Sequence, residues 1–224
     1  GSSGSGDGGI GDLLRFPDGL NGEPFFHDFS NGNFTVPNGK SLYVLNSWSG
    51  TGGVSIRLNG STSAAFEFPY KEKSLESPLI FSATDILEIY PANYSLTLFG
   101  LLVNENVDPF FHDFSNGNYT VPNGKSLYVL NSWSGTGGVS IRLNGSTSAA
   151  FEFPYKEKSL ESPLIFSATD ILEIYPANYS LTFLGYLVDS NYFLSISNSS
   201  SGSSTTIDST TIANLGFIAG NTDT

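Results

Sequence analysis

The chain has 224 residues, with 21 acidic and 9 basic side chains, no Cys and no Met. A formal net charge of −12 argues against phosphate backbones and anionic membrane surfaces as partners, since both need clustered Lys and Arg. Without Cys there is no disulfide, thiolate metal site or thiol nucleophile. No apolar run approaches the roughly 20 residues of a membrane span.

One stretch is written twice. Pro24–Val103 recurs as Pro109–Val188, 85 residues later, with 76 of 80 positions identical. The differences are Phe34/Tyr119, Leu98/Phe183, Phe99/Leu184 and Leu101/Tyr186. Two copies of this length predict two tandem domains rather than a solenoid of short units. Each is large enough to fold alone around a small core. Each copy carries a charge of −2, which leaves −8 for the remaining segments, where Arg15 is the one base.

In chain order, residues 1–23 read as a flexible N-terminal docking segment. Gly1–Gly6 is a cloning remnant or a linker and carries no fold information; no signal-peptide pattern is read here. Ile10, Leu13, Leu14 and Phe16 are too few to form a core. They are expected to dock on the first copy or on a neighbouring chain.

Residues 24–103 read as β throughout. Asn38-Gly39 and Asn59-Gly60 are hairpin signals. Ser41–Trp48 is a mostly apolar strand. Val54, Ile56 and Leu58 alternate with polar residues, as in a half-buried strand. Ser49–Gly53 reads as a Gly-rich hairpin loop. Phe66 and Phe68, Leu79–Phe81, Ile86–Tyr90 and Leu96–Val103 complete the set, with Gly100 expected at a bulge or close approach. Seven or eight short strands predict a β-sandwich or small barrel, here jelly-roll-like.

Asn104–Asp108 joins the copies and reaches at most ~18 Å, so the domains are close neighbours, expected end to end. The second sandwich spans residues 109–196, with Asp189–Ile196 read as a further strand. Residues 197–224 are a linker and tail. Its Ile212, Leu215, Phe217 and Ile218 suit strand addition to another surface, or simply a disordered terminus. Three of the four substitutions fall in the last strand. Leu98, Phe99, Leu101 and their partners Phe183, Leu184 and Tyr186 are therefore candidate assembly residues; the alternative is drift among apolar residues of similar total volume.

Signals for catalysis are weak. His27 and His112 stand alone, one per copy, in Phe-Phe-His-Asp-Phe, so a structural or interface role is the expectation. Asp85 reads as a turn cap rather than one of a catalytic carboxylate pair with Glu67 or Glu88. Ser49–Gly53 precedes no helix, so it is no phosphate cradle. No cofactor or metal is expected. Trp48, Trp133, Tyr70 and Tyr155 are the candidate ligand-binding residues, since an amphipathic ring beside a loop can stack on a sugar. A role for Trp48 in closing the core is an equal alternative.

Phe34–Tyr43 and Tyr119–Tyr128 resemble the YTVPxGKxLYI strand-turn-strand of small β domains in phage fibre and bacterial surface proteins. Leu14–Glu23, Ser77–Leu87 and Leu181–Phe193 resemble the same group. A weaker similarity reaches the trimeric jelly rolls of the C1q and tumour-necrosis-factor type, though Thr84-Asp85 replaces their Gly-Asp and the unit is shorter. These resemblances imply a non-enzymatic fibre, spike or decoration subunit on a virion or extracellular surface. The implied partners are copies of itself, as a trimer or polymer, and a host glycan or a capsid or tail protein. A tandem carbohydrate-binding module, or a filament subunit exchanging its tail, is the alternative reading.

Overall fold

The computed structural model describes residues 10–51, 53–136 and 138–193. The first copy contains β1 (Glu23–Asp28), β2 (Phe34–Thr35), β3 (Lys40–Ser49), β4 (Val54–Leu58), β5 (Phe66–Phe68), β6 (Lys71–Phe81), β7 (Ile86–Tyr90) and β8 (Thr97–Asn104). The second repeats them as β9 (Asp108–Asp113), β10 (Tyr119–Thr120), β11 (Lys125–Ser134), β12 (Val139–Leu143), β13 (Phe151–Phe153), β14 (Lys156–Phe166), β15 (Ile171–Tyr175) and β16 (Thr182–Asp189). In copy 1, β1-β8-β3-β6 form one antiparallel sheet and β2-β7-β4-β5 the other. Copy 2 has the same order, β9-β16-β11-β14 and β10-β15-β12-β13. Eight strands, mostly alternating between two four-stranded sheets, make a jelly roll. The protein is thus two tandem all-β sandwiches.

Side-chain alternation sets the two cores. Val54, Ile56 and Leu58 turn inward from β4 while Ser55 and Arg57 stay half-exposed. Leu42, Val44, Phe66, Phe68 and Leu98 join them in copy 1, and Phe153 and Phe183 occupy the corresponding centre of copy 2. Against β8 the register of β3 slips between Val44 and Asn46, which makes Leu45 the extra residue of a bulge; against β6 the same step skips Leu75–Pro78, so there the surplus residues belong to β6. Gly100 lies opposite Val44, where a Cβ would stand 1.8 Å from the Tyr43 carbonyl oxygen. Only glycine fits there.

Several local expectations are corrected. Asn38-Gly39 carries the chain from β2 in one sheet to β3 in the other, so it closes no hairpin. Gly39 alone of the two is at positive φ (72°), and Lys40 N bonds the Pro37 carbonyl, as suits a type II rather than a type I′ turn. Ser49–Gly53 likewise crosses between sheets rather than closing a hairpin. Asn59 and Gly60 are both at positive φ and form the type I′ turn. Strand β6 begins at Lys71, well before the apolar run, because its polar half is an edge strand paired only to β3. Pro78 is tolerated on that edge. Beyond β16 the chain turns at Ser190, so the strand expected from Asp189 does not continue through Phe193, and residues 194–196 lie outside the described residues. The tail residues Ile212, Leu215, Phe217 and Ile218 lie outside the described residues.

The copies meet flank to face rather than end to end. Strand β6 of copy 1 crosses the outer face of the β14-β11-β16-β9 sheet. A third core forms beside this contact from Tyr43, Ile80, Val103 and Val107 of copy 1 and its connector, and Tyr128, Leu130, Tyr186 and Val188 of copy 2. The N-terminal segment, with a short helix α1 (Ile10–Arg15), seals it through Leu14 and Phe16. It therefore docks on both copies. Tyr186 donates to the Leu14 carbonyl at 2.7 Å, and Arg15 Nη1 donates to the Glu76 carbonyl at 2.7 Å. No helix among the described residues is long and apolar enough to cross a membrane.

Asp18 ties these parts together. Its carboxylate accepts from the Tyr43 hydroxyl at 2.8 Å and from the backbone N–H groups of Asn106 and Val107 at 2.8 and 3.1 Å. Burial pushes its pKa up, and the hydrogen bonds only partly offset this. A raised folded-state pKa contributes stability below the ordinary value of 3.8, and that contribution is lost as pH rises through the folded value. Asn carries no such titration. The melting temperature of wild type minus that of Asp18→Asn should therefore fall as pH rises above 4. Thermal melts from pH 4 to 7 check this, and a difference that grows with pH contradicts it.

Candidate functional site

The outer face of the β1-β8-β3-β6 sheet displays Phe26, Asn46, Trp48 and Phe99 from four neighbouring positions of three strands. The register places Phe26 beside Phe99, Phe99 beside Asn46, and Trp48 beside Thr97. The equivalent residues in copy 2 are Phe111, Asn131, Trp133 and Leu184. Near-identical local sequences, which differ among these four positions only at Phe99/Leu184, thus build two matching half-sheets, but their surroundings differ.

In copy 1 the face is open: Phe26 is 65%, Trp48 48% and Phe99 40% exposed. In copy 2 it is covered by copy 1's flank. Leu184 is fully buried and, with Phe111 and Trp133, packs on the core of copy 1. Asn131 is buried as well, and its amide donates to the carbonyls of Pro78 (2.7 Å) and Ser77 (3.3 Å). Ser77 N donates to Ser159 Oγ at 2.9 Å, and Thr182 Oγ1 donates to the Ala64 carbonyl at 3.3 Å. Lys73 faces Glu157 at 3.8 Å.

Beside this contact lies a cleft of about 330 Å³. Copy 1 contributes Arg57, Ser63 and Tyr90, and copy 2 contributes Asp113, Trp133 and Thr182, with further small and hydroxyl residues around them. Arg57 and Tyr90 come from β4 and β7, adjacent strands of the β2-β7-β4-β5 sheet, and the guanidinium lies 3.6 Å from the Tyr90 ring centroid. That stack presents a flat cationic platform. Asp113 accepts from Ser115 N at 2.9 Å. Trp133 Nε1 and Arg57 Nε are buried without a hydrogen-bond partner among the described residues. Aromatic faces, hydroxyls and one cation around a small cleft suit a polyhydroxylated ligand.

The sequence candidates do not converge on one site. Trp133 lines the cleft, whereas Trp48 stands in the open on copy 1. Tyr70 and Tyr155 are each 57% exposed beside Lys71 and Lys156, away from the cleft lining. Leu98 and Phe183 point into the sandwich cores. Phe99 is exposed, Leu184 is buried by copy 1, and Leu101 and Tyr186 face the third core. Tyr186 stacks on Tyr128 with centroids 4.9 Å apart. Burial pushes the Tyr128 hydroxyl up to about 12 and the Tyr186 hydroxyl up as well.

His27 and His112 bridge to the Gly32 and Gly117 carbonyls at 2.9 and 3.0 Å, closing the turns that follow β1 and β9. Asp28 holds Ser30 N at 2.9 Å, and that bond lowers its pKa. Asp85 accepts from Ser82 N at 2.9 Å and from the Asn59 amide at 2.8 Å. Among the described residues no group of three His, Cys, Asp or Glu is placed to hold a metal ion. Sequence reasoning missed Arg57 and Asp113, because nothing local marks them; only the docking of the copies brings them together.

No family model and no curated protein matches this chain. Among solved structures, a chain from the atomic structure of Sulfolobus Turreted Icosahedral Virus is similar over 74% of this chain and 92% of that one, at 16% identity and a TM-score of 0.18. Similarity at that score carries no argument here.

The two tryptophans should behave differently despite identical neighbours in sequence. Trp133→Ala opens the copy–copy contact and should cost about 2–4 kcal/mol. Trp48→Ala should cost less than about 1 kcal/mol. Denaturant unfolding of both variants measures the split, and equal losses would contradict the asymmetric contact.

Proposed function

We propose that the chain is a non-enzymatic structural subunit of a virion or cell-surface fibre, spike or decoration, presenting a recognition surface outward. The observation that supports this most is the locked pairing of two jelly rolls through a third core. Tyr43, Tyr128 and Tyr186 are buried there, and Asp18 pins the connector. Such a joint holds two faces at a fixed angle, which suits load-bearing display. His27, Asp28 and Asp85 hydrogen-bond within turns, to Gly32, Ser30 and Ser82, which supports the structural reading.

A second reading, glycan binding, is favoured by the cleft with Arg57 on Tyr90 opposite Trp133. Both readings place the protein outside. Antibody raised against the full chain should label the outer surface of particles or cells that carry it. Label confined to a cell interior overturns the reading, as does release of product from a polysaccharide panel by purified protein. For the cleft, an array of glycans should give binding that Tyr90→Ala abolishes without loss of thermal stability, since Tyr90 is 51% exposed.

A further inference from the structure

The copy–copy contact is heterologous, so it leaves two complementary surfaces over. One is the outer face of copy 1, with Phe26, Asn46, Trp48 and Phe99. The other is the β13/β14 flank of copy 2, equivalent to the β5/β6 flank that copy 1 uses; within the chain β14 also meets β6 and α1, while Ala149, Ala150 and Ser162 stay exposed. All four substitutions lie outside residues 64–80, so this second flank, residues 149–165, is identical in sequence to the first.

The two flanks differ in burial. Ala65, Phe66, Ser77 and Leu79 are each 0% exposed beneath or beside the contact. Their equivalents Ala150 and Ser162 are exposed, and Phe151 and Leu164 only half-buried. On the opposite side, Leu184 is 0% exposed where Phe99 is 40% exposed. A monomer thus holds both halves of a joint whose closed form it already contains.

We infer that a second copy of this chain is the occupant: the copy 2 flank of one chain docks on the copy 1 face of the next, repeating the internal contact between chains. The polar pairing carries over residue by residue. Asn46 meets the carbonyls of Ser162 and Pro163, Thr97 meets the carbonyl of Ala149, and Lys158 meets Glu72, the direct counterpart of the Lys73–Glu157 pair. Phe99 seats a larger apolar side chain where Leu184 sits internally. Each new joint also rebuilds the cleft, with Arg142 and Tyr175 of one chain facing Asp28 and Trp48 of the next. Arg142 already lies 3.6 Å over the Tyr175 ring centroid, as Arg57 does over Tyr90.

A joint of this kind leaves one face and one flank free at the ends, so assembly continues until a ring closes or a filament grows. The net charge of −12 opposes it, so added salt should strengthen association. This inference deepens the structural-subunit reading by naming its partner. The two fail separately: a chain monomeric at every concentration removes the joint and leaves outward display intact, while turnover of a substrate removes the display reading and leaves the joint.

Sedimentation velocity of the full chain at about 0.15 M salt is the test, with Phe99→Glu and Ser162→Arg as variants. Both positions are exposed in the monomer, so both variants should keep the wild-type melting temperature. Wild type should form species larger than one chain, and each variant alone should associate on the order of 100-fold more weakly. Mixing the two variants should give a one-to-one pair that grows no further, because one retains only its flank and the other only its face. Wild type that stays monomeric, variants that assemble like wild type, or a mixture that forms no pair would each overturn the inference.

Discussion

Strand β6 lying across a neighbouring sheet face is the contact on which the rest of the molecule depends. It buries Leu184, Ser77 and Leu79 completely, and fully buried aliphatic side chains each contribute roughly 1.5–3 kcal/mol. Several of the polar groups taken out of water there are paired, while Asn131 Oδ1 and Trp133 Nε1 find no partner among the described residues. Asn131 holds two carbonyls, and the Ser77 hydroxyl donates to the Leu160 carbonyl. Buried polar groups cost free energy unless paired, so this pairing fixes one register of flank on face. Once that register is set, the third core, the connector and the N-terminal segment have one place to go.

The four substitutions make sense against this asymmetry. Phe183 fills the core of copy 2, with ring centroids 5.2 Å from Phe114 and 5.1 Å from Phe153, while its neighbour Leu184 lies buried against copy 1. In copy 1 the order is reversed: Leu98 is inside, and Phe99 lies outside against Phe26 at 5.4 Å. Tyr186 replaces Leu101 where a hydroxyl can reach the Leu14 carbonyl. For Phe34 and Tyr119, both rings sit edge-on to a core Phe at 4.8 and 4.7 Å, and nothing in the structure explains the added hydroxyl.

Strand periodicity made the sandwich legible. Val54, Ile56 and Leu58 are spaced for one buried face, and Gly100 sits where the Tyr43 carbonyl approaches. Periodicity says which side of a strand is apolar, but not what covers it. Trp48 and Trp133 share every sequence neighbour from Asn46 and Asn131 to Gly53 and Gly138, so no local signal separates the exposed ring from the half-buried one. The polar half of β6 carries too few apolar residues to read as a strand. Asn38-Gly39 resembles a hairpin turn, yet its flanking strands belong to different sheets. Arg57 and Asp113 become neighbours of one cleft only through the contact between copies.

That same identity offers the most direct measurement. The chain contains two tryptophans, one per copy, so 5-fluorotryptophan gives one fluorine resonance from each. The account predicts two resolved signals at dilute concentration. The signal lost in Trp133→Phe should be shielded from a soluble paramagnetic quencher, and the other broadened by it. A single merged resonance, or two signals equally open to the quencher, would mean that copy 1 does not cover copy 2.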